Sequence, residues 1–381
     1  MGDLPSERCK LVILADDLTG ACDAAAAACV TWGTVAVATS PTGFTSGDVL
    51  PSCVAINMDS RGMNAVAAAS LTKQVVDLVR RDAEHFIIKV DSTFEGVPGA
   101  VIAAALESLP ARLAVVCPAN PRQGRLVRGG MLVRRDSSEL RNLAAMLERD
   151  ASLPVRQVAS WREVTPSRCL PGERERASSE LFVCDAEDAS DLVALVVESG
   201  ALTPPPLFAG SAALVGTVAA SLAFSNASRS TAPCPTLTAP FVGIIGSSNP
   251  VTEVQVARLA ATHPCHFHDV NSSASLEDWN GVGPLLIRIR YGPDMAQRLV
   301  PLLLSLERSS PGTLLVSGGE TAKAVCDAAR SSRLTVFREA FSGVAQCQFD
   351  DGSLMAWRLL TKPGGFGDDD LLVRLFEGLV H

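Results

Sequence analysis

The pair Asp16-Asp17, in the run Asp16-Asp17-Leu18-Thr19-Gly20-Ala21, stands where the apolar stretch Lys10–Ala15 gives way to an alanine-rich one. Adjacent carboxylates at such a place can orient a polyol or take a proton from it, and Thr19 can donate to an oxygen. Asp and Thr are also good helix caps, so one aspartate is explained without chemistry. Asn57-Met58-Asp59-Ser60-Arg61 follows a second apolar run; Arg61 could grip a carboxylate through paired hydrogen bonds, or Asp59 and Ser60 could simply cap a helix. Lys89-Val90-Asp91-Ser92-Thr93 closes a third run with a cation, a carboxylate and two hydroxyls, where a structural bridge from Lys89 to an aspartate is the plainer alternative. Gly96 and Gly99 then let the chain turn into a helix whose N-terminus could face an anion. Cys117-Pro118-Ala119-Asn120, with Gly124-Arg125 and Gly129-Gly130, brings either an arginine or lid to the same place or only a surface turn.

The second half carries different equipment. Gly246-Ser247-Ser248-Asn249, Gly318-Gly319-Glu320-Thr321 and Lys362-Pro363-Gly364-Gly365-Phe366-Gly367 each follow an expected strand. Glycine- and serine-rich turns offer approachable backbone N–H groups, which phosphates require. No Walker A sequence and no GxGxxG is present, so the expected nucleotide site is neither a P-loop nor a dinucleotide fold. Three of the five histidines crowd into His263-Pro264-Cys265-His266-Phe267-His268-Asp269. His266 and His268 stand at i, i+2 with no second ligand cluster, so no metal ligands are assigned.

These motifs need strand ends to hold them. Lys10–Ala15, Thr34–Ala38, Cys53–Asn57, His85–Val90, Leu113–Cys117, Leu181–Cys184 and Leu207–Ala209 read as strands. Between them lie helical stretches at Gly20–Val30, at residues 64–80 and from Ser211. In the second of these Leu71, Val75, Leu78 and Val79 make one apolar stripe. Such alternation predicts βαβ units around a mainly parallel sheet, whose ligands bind at the carboxyl ends of strands. Residues 151–176 read as loop-rich or partly helical. Ser225–Pro240, rich in Ser, Thr and Pro, separates a second α/β block that opens with the strand Phe241–Ile245. In that block a helix is expected with Val254, Ala257 and Ala261 on one face, strands at Thr313–Val316 and Leu354–Leu360, and a helix near Asp370–Val380.

The expected architecture is α/β in two domains, each a mainly parallel sheet flanked by helices, with the active site in the cleft between them. The boundaries are 1–225, a linker at 226–240, and 241–381. Composition agrees: 381 residues, 47% hydrophobic and 19% charged, suffice for two cores and exclude disorder. The 11 cysteines include no CxxC pair and suggest no disulfide scaffold. A net charge of −8 argues against general nucleic-acid affinity. Residues 112–176 nevertheless hold 13 Arg against 7 acidic residues, which suits an anionic small molecule or merely a solvated helix face. The uncharged stretch Ala24–Gly47 is broken by Thr31, Gly33, Thr34, Pro41 and Gly43, so no membrane span is expected. No export signal is visible, and a cytoplasmic protein is expected.

In order along the chain, ADDLTGA (Ala15–Ala21), NMDSR (Asn57–Arg61), KVDST (Lys89–Thr93), GR (Gly124–Arg125), GSSNPVT (Gly246–Thr252), GGETA (Gly318–Ala322) and KPGGFG (Lys362–Gly367) resemble the four-carbon acid sugar kinase family. The resemblance implies an N-terminal domain for a sugar acid and a C-terminal domain for ATP. It also implies phosphorylation of a terminal hydroxyl of threonate, erythronate, oxo-tetronate or similar compounds. By the same resemblance Asp16, Asp17, Arg61, Lys89, Asp91 and Ser92 would line the acid site, and Ser247, Gly318, Gly319, Glu320, Thr321 and Gly365 would contact the nucleotide. The sequence departs from the family where Leu-Arg-Gly-Asn usually follows KVDST: here stand Phe94-Glu95-Gly96-Val97. An acidic Glu95 in place of a cation bears on which acid is taken.

The expected chemistry is phosphoryl transfer from ATP with Mg²⁺. Asp16, Asp17 or Asp91 would accept the hydroxyl proton, and Arg61, Lys89 and Arg125 would face the carboxylate or the moving phosphoryl group. The expected partners are a sugar acid and ATP, without nucleic acid or membrane; homodimerisation is left open. The competing reading is a catalytically impaired paralogue that binds nucleotide or sugar acid as a sensor. A dehydrogenase is disfavoured by the missing dinucleotide fingerprint.

Overall fold

The computed structural model describes residues 8–45, 48–135, 140–164, 179–222, 232–270, 279 and 283–380. In chain order the first elements are β1 (Cys9–Ala15), α1 (Leu18–Trp32), β2 (Val35–Ala38), β3 (Cys53–Asn57), α2 (Ala65–Val79), β4 (Ala83–Lys89), α3 (Pro98–Ser108) and β5 (Leu113–Cys117). Next come β6 (Arg125–Arg128), β7 (Met131–Arg134), β8 (Leu140–Asn142), α4 (Leu143–Ala151), β9 (Val155–Val158), β10 (Glu180–Cys184), α5 (Ala189–Gly200), β11 (Leu207–Gly210) and α6 (Ala212–Leu222). The remainder is β12 (Phe241–Ile245), α7 (Pro250–Thr262), β13 (His266–Asp269), β14 (Leu285–Arg288), α8 (Met295–Arg308), β15 (Thr313–Ser317), α9 (Gly319–Ala329), β16 (Arg333–Phe341), β17 (Val344–Phe349), β18 (Arg358–Lys362) and α10 (Leu371–Val380). No described helix is long and apolar enough to cross a membrane.

The chain divides into two compact units, 1–16 with 44–228 and 17–43 with 229–381. Residues 17–43, which the sequence groups with the N-terminal domain, therefore cluster with the C-terminal one. The reason is packing: α1 lies on β16 and β17 and beside α9, and β2 pairs with β16.

In the first unit the strands run β3-β1-β4-β11-β5-β10-β9, all parallel. Their apolar runs are buried on both faces, as parallel strands require. The chain leaves β1 for β3 on one side and returns to β4 on the other, so the strand order reverses at β1. Ligands of open parallel sheets bind outside the carboxyl ends at such a point. Gly124–Gly130 proves to be part of a small antiparallel sheet, β6-β7-β8, in which Gly129 and Gly130 both take the positive φ that a two-residue hairpin turn demands.

The second unit is mixed, with parallel strands in the majority and an antiparallel edge. Strands β13-β14-β12-β15-β18 are parallel, and β17, β16 and β2 follow antiparallel. The expected strand Leu354–Leu360 begins only at Arg358. Leu354 and Trp357 instead are the buried ends of a turn whose middle residues are exposed, with the Trp357 backbone N–H donating to Leu354 O (2.9 Å). The expected apolar face of α7 is also corrected. Val254, Ala257 and Ala261 are exposed, and the buried stripe is Thr252, Gln255, Val256 and Leu259. Its i, i+3, i+4, i+7 spacing includes two polar residues, which a purely apolar search passes over.

Candidate functional site

In the first unit the ends of β1, β3 and β4 converge. Arg61, in the loop after β3, donates from Nε to Asp16 Oδ2 (2.7 Å) at the end of β1 and places Nη2 3.4 Å from Asp91 Oδ1 after β4. Backbone N–H groups of Ser60 and Arg61 donate to Asp16 O (2.9 and 3.3 Å), which ties the loop to the strand. Asp91 also accepts from the N–H (2.6 Å) and hydroxyl of Thr93. Burial pushes the Asp91 carboxyl up, but the Arg61 guanidinium, the Thr93 hydroxyl and Lys89 together hold it below the ordinary carboxylate range. Lys89, buried at the end of β4, donates to Val90 O (3.0 Å).

The turn after Asp91 is held tightly. Phe94, wholly buried, sits at φ 62° with its N–H on Asp91 O (2.9 Å), an outlier of the kind that gathers at working sites. At Gly96 a Cβ would lie 3.4 Å from Arg61 O, so this glycine brings the two loops together. The start of α3, which the sequence offers to an anion, is packed by the chain's own carboxylate: a Cβ on Gly99 would stand 2.4 Å from Asp150 Oδ1.

A small pocket, partly open to solvent, opens at this point. Asp16, Ser60, Arg61, Lys89 and Glu95 supply its polar wall, and Leu14, Met58 and Val101 are among its apolar residues. Asp91, Ser92 and Arg125 stand outside this lining. Arg125, buried on β6, donates to Ser92 Oγ and to Gln123 Oε1 (3.1 Å).

Asp17 belongs to the second unit. Its Oδ1 accepts from Gly20 N–H (2.5 Å), so it is the cap of α1. Its Oδ2 lies where a Cβ on Gly319 would come within 2.2 Å. Gly318, at φ 108°, caps α9 after β15, and Gly319 opens that helix. Thr321 is buried, and its Oγ1 would be 2.2 Å from a Cβ on Gly246, while Glu320 is exposed. A Cβ on Gly364 would meet Ser247 Oγ at 2.1 Å, and one on Gly365 would meet Asn249 Nδ2 at 3.2 Å. Ser247, Gly318, Gly319, Thr321, Gly364 and Gly365 are thus brought together at the carboxyl ends of β12, β15 and β18.

Lys362 opens the motif Lys362–Gly367, but the sequence assigns it no role in a site. It is wholly buried at the end of β18, and burial pushes its ammonium down to about 7. The available signal is a lysine at the carboxyl end of the strand Arg358–Lys362, directly before a glycine-rich turn. The histidine cluster is scattered: His263 Nε2 lies 3.2 Å from Glu377 Oε1, and His266 and His268 lie on β13 at the sheet edge. Among the described residues no group of three metal-ligating side chains gathers.

Residues 11–218 match the model of a sugar-binding N-terminal domain, and residues 285–372 that of a nucleotide-binding C-terminal domain. The chain belongs to the four-carbon acid sugar kinase family. Curated relatives of this family member include a protein of Cupriavidus necator, 28% identical over 97% of this chain and 98% of its own length, and one of Bordetella bronchiseptica, 27% identical over 96% of each. Both are named D-threonate kinase. Its fold is shared by a Salmonella typhimurium LT2 structure provisionally labelled a tRNA synthase (TM-score 0.75, 20% identity, 96% of this chain and 98% of that one). A Haemophilus influenzae protein from a family of unknown function is similar as well (TM-score 0.68, 20% identity, 96% and 99%). The sugar-binding match contains the Asp16–Arg61–Asp91 cluster, and the nucleotide-binding match contains the turns at Gly318 and Gly364.

Proposed function

We propose that this protein is an ATP-dependent kinase that phosphorylates a terminal hydroxyl of a four-carbon sugar acid, D-threonate or a close analogue. The observation that carries the reading is the charged pocket at the β1 switch point of the sugar-binding domain, in a chain whose curated relatives are named D-threonate kinase along nearly their whole length.

Lys89 spends one N–H on Val90 O and has two left for the acid's carboxylate. Asp16, alone among the three candidate aspartates, lines the pocket and is the residue proposed to take the hydroxyl proton. Arg61 fixes its orientation. Asp91, held ionised by its neighbours, supports Arg61 from the other side. Asp17, a cap whose second oxygen lies beside Gly319, joins the nucleotide set.

The second unit fits a triphosphate. Gly246, Gly319, Gly364 and Gly367 leave no room for side chains, and the N–H groups of Gly364, Gly365 and Gly367 have no partner among the described residues. Ser247, Gly318, Gly319, Glu320, Thr321 and Gly365 would hold the nucleotide. The donor set also suits a Mg²⁺ bound mainly through phosphate oxygens and water, with Asp17 and Glu320 as the carboxylates at hand. ATP and its metal supply the transferable phosphoryl group and neutralise its charge.

A coupled assay of ADP release across a panel of four-carbon acids tests the proposal. At least one acid should stimulate turnover about 100-fold or more over the acid-free background. ATP binding with no stimulation by any acid would instead identify the impaired paralogue, the reading that Glu95 favours.

Glu95 also bears on which acid is taken. It lines the pocket without a hydrogen-bond or ionic partner among the described residues, opposite in sign to Lys89. A substrate with one carboxylate satisfies Lys89, whereas a second carboxylate meets Glu95. Glu95→Gln should therefore raise kcat/KM for a four-carbon dicarboxylate, relative to the monocarboxylate, by about fivefold to tenfold at low salt. An unchanged ratio removes Glu95 from substrate selection.

A further inference from the structure

Four carbonyls of the loop after β18 are drawn toward side chains that no solvent reaches. Lys362 Nζ donates to Pro363 O and Gly364 O (3.0 Å each) and to Thr252 Oγ1 (3.1 Å). Thr252 Oγ1 donates in turn to Gly364 O (2.7 Å). One turn further along α7, Gln255 Nε2 donates to Phe366 O (3.0 Å) and Asp368 O (2.8 Å). Thr252, Gln255 and Lys362 are all fully buried.

A trans peptide points its C=O and the following N–H in opposite directions. With Pro363 O, Gly364 O and Phe366 O held inward, the N–H groups of Gly364, Gly365 and Gly367 must point away from α7. These are the amides without partners among the described residues. Gly367 at φ 88° completes the bend. A row of outward amides is an anion cradle, and a free glycine loop would populate many other arrangements.

We infer that Thr252 and Gln255 of α7, together with Lys362, are positioning residues that hold the loop's amides ready for the phosphates of the nucleotide. This rests on the nucleotide reading of that loop. None of the three is required to touch ATP; each acts through the peptide planes it restrains.

The decisive measurement is equilibrium binding of ATP and of adenosine to the full chain, without any acid, for Gln255→Leu, Thr252→Val and Thr252→Ser. Gln255→Leu and Thr252→Val should each weaken ATP at least tenfold while leaving adenosine within twofold, because the cradle meets only phosphate. Thr252→Ser, which keeps the hydroxyl, should restore ATP affinity to within threefold of the parent. A folded variant that binds ATP as the parent does, or one that loses adenosine in equal measure, overturns the inference. If Gln255→Leu fails to fold, the Thr252 pair decides alone. A parent protein that binds no ATP defeats the nucleotide reading itself, an outcome distinct from parental binding with indifferent variants.

Discussion

Gly319→Ala should cost about 2–4 kcal/mol of stability and lower kcat/KM for ATP about 100-fold. The new methyl would stand 2.2 Å from Asp17 Oδ2 and 2.8 Å from its Cγ, inside any permissible contact. Neither side can yield cheaply. Gly319 is the first residue of α9, and Asp17 is fixed by its bond to Gly20 N–H as the cap of α1. If Asp17 rotates, α1 loses its cap; if α9 shifts, the turn at Gly318 moves with it. Thermal unfolding and the KM for ATP report the two effects separately. Gly378→Ala serves as the control, since nothing lies within 4 Å of the added carbon and the site is an exposed position in α10. It should leave turnover intact and gain up to about 1 kcal/mol. Parental stability and KM in Gly319→Ala would show that α1 and α9 are not locked together in this way.

The strand ends were legible because three independent signals coincide there. A β-branched run stops, a charged or glycine-rich cluster follows, and a helical period begins; Cys53–Asn57, Leu113–Cys117 and Phe241–Ile245 match their strands residue for residue. The chain order of those clusters also puts Asp16, Arg61 and Lys89 at successive strand termini. Partnership was not legible. Nothing in the spacing distinguishes Asp16, which is gripped by Arg61, from Asp17, which caps α1 and lies beside Gly319. That difference is set by a domain division falling between two adjacent residues.

The residues missed share a physical cause. Thr252, Gln255 and Lys362 are buried polar residues whose donor groups are met by backbone carbonyls. A hydrophobic-period argument sees only apolar burial, so it assigned α7 the wrong face. The hairpin of β16 and β17 escaped for another reason. Its turn is Ser342-Gly343, with Gly343 at φ 76°; β16 mixes charges with short apolar runs, and β17 is interrupted by Gln346 and Gln348. Antiparallel strands alternate faces, and this alternation is weaker in sequence than the unbroken apolar runs of the parallel sheet.

The larger loss is expected from Arg61→Met. One guanidinium serves two carboxylates, with Nε 2.7 Å from Asp16 and Nη2 3.4 Å from Asp91. Removing it leaves like charges facing a partly buried gap, which should cost about 2–3 kcal/mol after allowance for solvent screening. It should also lower kcat/KM for the acid at least about 1000-fold, because Asp16 loses its orientation. The pH dependence carries a definite sign. In the parent protein the lowered Asp91 pKa contributes stability that is present above the ordinary carboxylate range and is lost as pH falls through the lowered value. In the variant Asp91 keeps its burial and loses the guanidinium that lowers it, so its pKa rises and stability is lost as pH rises through the raised value. The gap in Tm between the two proteins should therefore widen between about pH 4 and pH 7 and nearly close in acid. Arg61→Lys should recover part of the stability but little of the activity, because a single ammonium cannot reproduce both arms of the fork. Full recovery of turnover by lysine would mean that charge alone matters at this position. A Tm gap that stays flat with pH would mean that Arg61 does not hold Asp16 and Asp91 as ionised partners.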